Sequence, residues 1–272
     1  MRIVPPFGPE PHRHREVAEA FGADAERYDR ARPRYPDALV RRIVATMPGR
    51  DVLDVGCGTG IAGRQFQAAG CRVLGVDVDV RMADVARRHG LDVEVAAFES
   101  WEPAGREFDA VVSGQTWHWI DPVAGAAAAA RVLRPGGLLT PFWNVAEPAP
   151  QIGSAFAAVY RRVVPDLPGN PWVKPALDGY VPLVTAAADG IVEAGGFGGP
   201  ERWQVEWDRE YTRDEWLDQV PTHGGHNRLP VDHLEALLSG LGATIDAVGG
   251  GFTMHYVTLA VTGVRTGATS TD

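Results

Sequence analysis

The 272-residue chain has little cysteine, almost no lysine and no long apolar run. Its two cysteines, Cys57 and Cys71, are too few for a disulfide framework and lack metal-ligand spacing. They fit a reducing compartment, and the cytoplasm is the expected location. Lys174 is the only lysine among 26 basic residues, and no dense basic run occurs. With 35 acidic residues the net charge is −9, the wrong sign for broad contact with nucleic acid or an anionic membrane. No stretch approaches the roughly 18 consecutive apolar residues that a spanning helix needs. The start of the chain lacks the apolar centre of a secretory signal, and no internal repeat is present.

What is present is ordinary globular material, 45% hydrophobic and 22% charged. Helical spacing over about 16–30 follows a Pro-, His- and Arg-rich start, irregular over 1–15, and a second helix opens at Pro36 and Asp37. Short apolar strands then alternate with helices: D-V-L-D-V-G, C-R-V-L-G-V-D, L-D-V-E-V-A-A, F-D-A-V-V-S-G and G-L-L-T-P-F-W. H-W-I-D is read as the start of the helix before the fifth strand, and L-R-P-G-G as the turn that ends it. This rhythm predicts an α/β fold with a doubly wound, mostly parallel sheet. Beyond residue 145 come a proline-rich helical stretch, an alternating strand at E-R-W-Q-V-E-W-D-R-E-Y, two further helices and a closing strand at G-F-T-M-H-Y-V-T-L-A-V. The last residues, 266–272, read as a frayed tail.

The sharpest motif is D-V-L-D-V-G-C-G-T-G at 51–60. Glycines after a strand let a ligand approach the backbone, and the next helix presents unpaired N–H groups. Gly58, Gly60 and Gly63 also spell the dinucleotide fingerprint, with Asp77 about 20 residues on. Asp54 argues against that reading, because a carboxylate beside the loop would repel a pyrophosphate and attract an ammonium group. Asp54, Gly56, Gly58 and Gly60 together resemble the first motif of the class I S-adenosylmethionine-dependent methyltransferases, D/E-x-G-x-G-x-G. The resemblance runs closely over about 28–145 and more loosely over the closing strands.

That resemblance implies a Rossmann-like seven-stranded sheet with its last strand antiparallel, plus helical cap insertions. It implies S-adenosylmethionine as cofactor, S-adenosylhomocysteine as product and no metal. Asp54, Gly56, Cys57, Gly58 and Gly60 would form the loop, with Asp77 on the ribose, Met82 against the adenine and Val78 as a further cofactor contact. An Asp that many members carry after the third strand is missing, so backbone near Phe98, helped by its ring or by Glu99, would hold the adenine. The turn after the fourth strand brings Gln115 to the cofactor. R-A-R-P-R-Y-P resembles the segment over the methionine end, with Arg32 and Tyr35 as contacts.

The His-Trp pair in Q-T-W-H-W resembles that of trans-aconitate-type and other small-molecule methyltransferases. His118 is the candidate catalytic residue, read as a base, as a hydrogen-bond donor to an acceptor carboxylate, or as a structural histidine. Tyr28, Trp119, Trp143, Asn144, Trp216 and His223 are candidates for the acceptor pocket. His223 and His226 have poor spacing for a metal. One domain over 1–272 is expected, its core at about 37–145, 186–212 and 246–265 and cap elements at about 12–36, 146–185 and 213–245. The expected activity is methyl transfer to a small molecule, first at oxygen of a carboxylate or hydroxyl, then at nitrogen, by a monomer or homodimer without nucleic-acid or membrane partners. The rivals are an NAD(P)-dependent oxidoreductase and a non-catalytic cofactor-binding protein.

Overall fold

The computed structural model describes His12 and residues 19–165, 170, 172 and 176–267. In chain order the elements are α1 (Ala25–Ala31), α2 (Asp37–Thr46), β1 (Asp51–Val55), α3 (Ile61–Ala68), β2 (Arg72–Asp77), α4 (Val80–Arg88) and β3 (Asp92–Val95). Next come β4 (Phe108–Gly114), α5 (Pro122–Val132), β5 (Leu133–Pro148), α6 (Pro150–Val163) and α7 (Ala176–Ala194). The chain closes with β6 (Glu201–Thr212), α8 (Arg213–Gln219), α9 (Val231–Asp246) and β7 (Gly251–Val264).

The seven strands form one sheet in the order β3-β2-β1-β4-β5-β7-β6, with β7 antiparallel. β1 lies parallel between β2 and β4, Asp54 opposite Gly75 on one side and Val112 on the other. Strand order reverses there, and in such sheets the crevice at the carboxyl ends of the reversing strands receives the ligand. β4 is buried along almost its whole length, as a strand covered on both faces must be.

The chain divides into two compact units, with divisions between Pro33 and Arg34 and inside β5, α7, β6 and β7. The first, here the glycine-loop unit, comprises residues 34–144, 182–205 and 258–272. Its core includes Leu39 and Ile43 from α2, Phe66 from α3, Ala83 and Ala86 from α4, and Val52 from β1. The second, the aromatic unit, comprises residues 1–33, 145–181 and 206–257. There Phe156 and Tyr160 of α6, Trp216 of α8 and Leu237 and Leu241 of α9 pack with Tyr211 of β6. A reciprocal cap of Thr212 and Glu215 starts α8.

The helix expected from H-W-I-D begins later. Residues 117–119 form a single 3-10 turn, and α5 starts at Pro122. Asp121 accepts from the Val123 and Ala124 amides, and a proline in the first turn costs no backbone bond, so cap and proline together set the start. L-R-P-G-G is part of β5 rather than a turn before it: Arg265 N–H donates to the Gly137 carbonyl and Gly136 N–H to the Arg265 carbonyl. A register shift between Phe108 and Ala110 absorbs the irregularity. The N-terminal helix is a 3-10 segment over Glu19–Asp24 running into α1. Most of the expected irregular start and tail lies outside the described residues. No described helix is long and apolar enough to cross a membrane.

Candidate active site

Asp54 ends the buried part of β1 and is 1% exposed. Neither carboxylate oxygen makes a hydrogen bond of sound geometry. Burial pushes its pKa up to about 7, the Gly63 amide opposes that, and Asp77 adds to it. Two residues on, Gly56 turns the chain at φ +63°, and its N–H and that of Cys57 donate to the Val76 carbonyl at 2.7 and 3.2 Å. A Cβ on Gly56 would collide with the Thr116 methyl, so glycine is required both by backbone angle and by space. Thr116 Oγ1 donates to the Gly56 carbonyl at 3.0 Å, tying the turn after β4 to the turn after β1.

Asp77, at the end of β2, takes the Gly58 amide on Oδ2 at 2.7 Å and the Asp79 amide on Oδ1 at 2.9 Å. A carboxylate has about four acceptor sites, so one lone pair on each oxygen remains for a diol. Burial nevertheless holds its pKa above the ordinary carboxylate value. Val78 and Val95, at the ends of β2 and β3, stay 41% and 44% exposed, an apolar ledge beside the loop. Met82 is buried, its methyl 3.4 Å from where Gly58 would carry a Cβ. Cys57 turns its sulfur against Gly75 of β2, and burial pushes the thiol pKa up, so only its backbone faces the loop.

The ring of Phe98 is buried 6.4 Å from those of Trp101 and Trp117, which leaves its backbone as the part able to meet a ligand. Glu99 accepts from the Asp121 amide at 3.3 Å, beside the start of α5. Gln115 is one of two described non-glycine residues with positive φ, at +58°. Strain of that kind is retained only where neighbours over-determine it. Here its N–H donates to the Phe142 carbonyl and its side-chain amide to the Asn144 carbonyl at 2.9 Å.

Three residues after Gln115, His118 Nδ1 accepts from the Trp143 indole at 3.2 Å. An indole N–H can only donate, so Nδ1 is the lone-pair nitrogen and the neutral ring carries its proton on Nε2. Burial lowers the His118 pKa to about 3, which keeps the ring neutral. Trp119 is buried with its ring 4.8 Å from His118. Trp143 is fully buried, and Asn144 is held at both ends, donating to the Arg34 carbonyl and accepting from Thr258 at 2.7 Å. The Tyr35 backbone is clamped by Gln65 at 2.9 and 2.8 Å, and its hydroxyl lies 2.5 Å from where Gly114 would carry a Cβ. Gln65 was missed by sequence reasoning, although a glutamine on the buried face of α3 was a visible signal.

Among the expected site residues, Asp54, the loop glycines, Asp77, Val78, Met82, Glu99, Gln115, His118 and Tyr35 thus all belong to the glycine-loop unit. So do Phe98, Trp119, Trp143 and Asn144, whereas Tyr28, Arg32, Trp216 and His223 belong to the aromatic unit. His223 and His226 have their Nε2 atoms occupied by Gln219 and Tyr160, and no metal-binding group occurs among the described residues.

Residues 52–137 match a methyltransferase domain. The sheet order and the loop geometry accord with that match, and together they support a class I S-adenosylmethionine-dependent methyltransferase fold there. An uncharacterized methyltransferase of Mycobacterium tuberculosis is 37% identical over 133 residues, 48% of this chain and 54% of that protein. A malonyl-[acyl-carrier protein] O-methyltransferase of Enterobacter lignolyticus is 34% identical over 54% of this chain and 60% of its own. A ubiquinone biosynthesis O-methyltransferase of Hahella chejuensis is 38% identical over 34% and 42%. The chain therefore spans about half the length of the curated relatives it matches. A proposed type II methyltransferase from Anaeromyxobacter dehalogenans shares the fold at a TM-score of 0.62 and 24% identity, over 86% of this chain and 97% of that one.

Proposed function

We propose that this chain is an S-adenosylmethionine-dependent methyltransferase acting on a small molecule at oxygen or nitrogen. The observation that carries the reading is the pair of carboxylates at the loop. Asp54 has two orphaned, buried oxygens, which suit an ammonium group and oppose a pyrophosphate. Asp77 keeps a lone pair on each oxygen for ribose hydroxyls. A nicotinamide dinucleotide would satisfy Asp77 but set its phosphates near Asp54.

The residues present fit S-adenosylmethionine. Asp54 and the 56–60 backbone would hold its methionine portion and Asp77 its ribose. Val78, Met82 and the backbone at Phe98, with Glu99, would hold the adenine, and Tyr35 and Gln115 would close the site. The bound cofactor supplies a methyl carbon that is already electrophilic, so the chain need only align an acceptor and exclude water. Alignment alone can supply about 7–11 kcal/mol of a barrier.

His118 supports a division of labour on the acceptor side. Its lone-pair nitrogen is taken by Trp143, so the neutral ring cannot act as a base without giving up that bond. A carboxylate acceptor needs no base, which favours oxygen of a carboxylate over a phenol. The Enterobacter and Hahella relatives, both O-methyltransferases, support oxygen. The acidic balance supports a small acceptor over nucleic acid, and the two buried free thiols suit a reducing cytoplasm.

The test is incubation with methyl-labelled S-adenosylmethionine and a panel of small acids, phenols and amines, with Asp77→Ala as matched control. Label transfer to one acid by the wild type, lost in Asp77→Ala, supports the reading. Cofactor binding with no transfer to any panel member supports a non-catalytic binding protein.

A further inference from the structure

The aromatic unit holds buried N–H donors that its own fold leaves unused. Trp216 is 1% exposed and stands among rings: Phe156 stacks on it at 5.8 Å, while Tyr211, Phe252 and His223 meet it edge-on at 5.1, 5.3 and 5.7 Å. Its indole N–H has no hydrogen-bond partner. Arg32, at the end of α1, donates through Nη2 to the Thr222 carbonyl at 2.7 Å and lies over the Tyr28 ring at 5.0 Å. Its Nε–H is buried and also has no partner. No carboxylate pairs with this guanidinium among the described residues.

His223 supplies a third donor. The Tyr211 hydroxyl donates to Gln219 Oε1 at 2.8 Å, which leaves the Gln219 amide nitrogen to donate to His223 Nε2 at 3.2 Å. An amide nitrogen cannot accept, so the neutral ring carries its proton on Nδ1, where no described residue accepts it. Burial, with Arg32 nearby, holds the His223 pKa well below the ordinary value. His226 makes the contrast: its Nε2 takes the Tyr160 hydroxyl at 2.8 Å and its Nδ1 faces the Gly224 carbonyl at 3.4 Å. One histidine is satisfied by its own fold and the other is not.

Buried donors without acceptors are rare, because leaving them unmade is costly. Two of them, one on a cation, with the His223 ring 5.7 Å from that of Trp216, suit a group with several acceptor sites and a negative charge. We propose that Arg32 Nε, Trp216 Nε1 and His223 Nδ1 form, within the aromatic unit, a binding site for the carboxylate of a small aromatic acid. Two oxygens with about four lone pairs can take all three donors, and the surrounding rings suit a planar organic body. The amide of the same acid brings N–H groups against N–H groups and is rejected. This assignment takes Arg32 out of the cofactor contacts expected from the sequence.

The test follows the indole N–H resonance of Trp216 in the full chain, assigned by its loss in Trp216→Phe. Phenylacetate and phenylacetamide are the probes. The expected result is a saturable shift with the acid and none with the amide. Calorimetry should show phenylacetate at least tenfold weaker in Arg32→Met and in Trp216→Phe, which keeps the ring stack, while S-adenosylhomocysteine affinity stays as in the wild type. An indole signal unmoved by phenylacetate, or moved equally by the amide, overturns the proposal. So does an Arg32→Met that loses S-adenosylhomocysteine and keeps phenylacetate, because the guanidinium then serves the cofactor. Failure of the methyltransferase reading looks different: the wild type itself would not bind S-adenosylhomocysteine, whatever phenylacetate does.

Discussion

Two aspartates at the loop differ in what surrounds them, and that difference decides their roles. Asp77 is held by two backbone amides and is ready to accept two more hydrogen bonds, whereas Asp54 is buried with only the Gly63 amide nearby and no bond of sound geometry. Asp77→Ala is expected to weaken S-adenosylhomocysteine at least tenfold, since hydrogen bonds to a charged group are worth about 1.5–3 kcal/mol each. Unchanged affinity by calorimetry would remove the ribose assignment. Asp54 makes a prediction about pH. Its folded pKa of about 7 stands above the ordinary 3.8, so the native state binds the extra proton between those values. The stability this contributes to the free protein is present below about pH 4 and is lost as pH rises through 7. Denaturant titrations should show that fall, and Asp54→Asn should abolish this component. Affinity for S-adenosylhomocysteine should move the other way, rising through pH 7 as the carboxylate ionises to meet the ammonium.

His118 belongs to the same scale. His118→Gln keeps a side-chain acceptor for the Trp143 indole, whereas His118→Phe keeps a ring but no acceptor. Turnover largely retained in the first and lost in the second, with cofactor affinity unchanged in both, is the expected pattern. Full turnover in His118→Phe would assign the residue to packing alone. The sequence made Asp54 and Asp77 legible because a strand-turn-helix fixes their neighbours locally. It could not decide His118, because the partner that sets its tautomer, Trp143, lies on another strand and enters only through the fold.

At the scale of elements, the turn after β1 and the turn after β4 are built as one device. Gly56 must be glycine partly because Thr116 occupies the space of its missing Cβ, and Thr116 then bonds back to the Gly56 carbonyl. Gly56→Ala should lower stability by about 1–3 kcal/mol from backbone strain alone, with a further cost from the contact, and should weaken cofactor binding. Thr116→Ser removes the methyl that the new Cβ meets, so the double variant should recover part of the loss; equal stability of single and double variants would contradict the coupling. Strands and helices were readable wherever apolar periodicity was uninterrupted, as in β1, β2, β4 and β7. The W-H-W-I-D stretch misled because its apolar spacing continues into α5, while the cap at Asp121 and the ring of Pro122 decide where a helix can start. L-R-P-G-G misled for the opposite reason: its proline and glycines look like a turn, yet Arg265 completes their backbone bonds from a distant strand.

For the whole molecule, the division into a glycine-loop unit and an aromatic unit separates a site legible in a contiguous motif from one that is not. The first was visible because its residues crowd into one strand-loop-strand stretch. The second draws Arg32, Trp216 and His223 from segments about 190 residues apart, each unremarkable in its own surroundings. Ligand binding to the native state alone must raise its stability by mass action, about 2.7 kcal/mol at a hundredfold excess over Kd. Thermal unfolding of the intact chain should therefore shift upward with S-adenosylhomocysteine and stay unmoved with NAD. The most direct measurement is calorimetric titration of the full chain with S-adenosylmethionine, S-adenosylhomocysteine and NAD. Saturable binding of the first two with no heat from NAD is the predicted result; binding of NAD alone would contradict the account, and the glycines would then belong to a dehydrogenase.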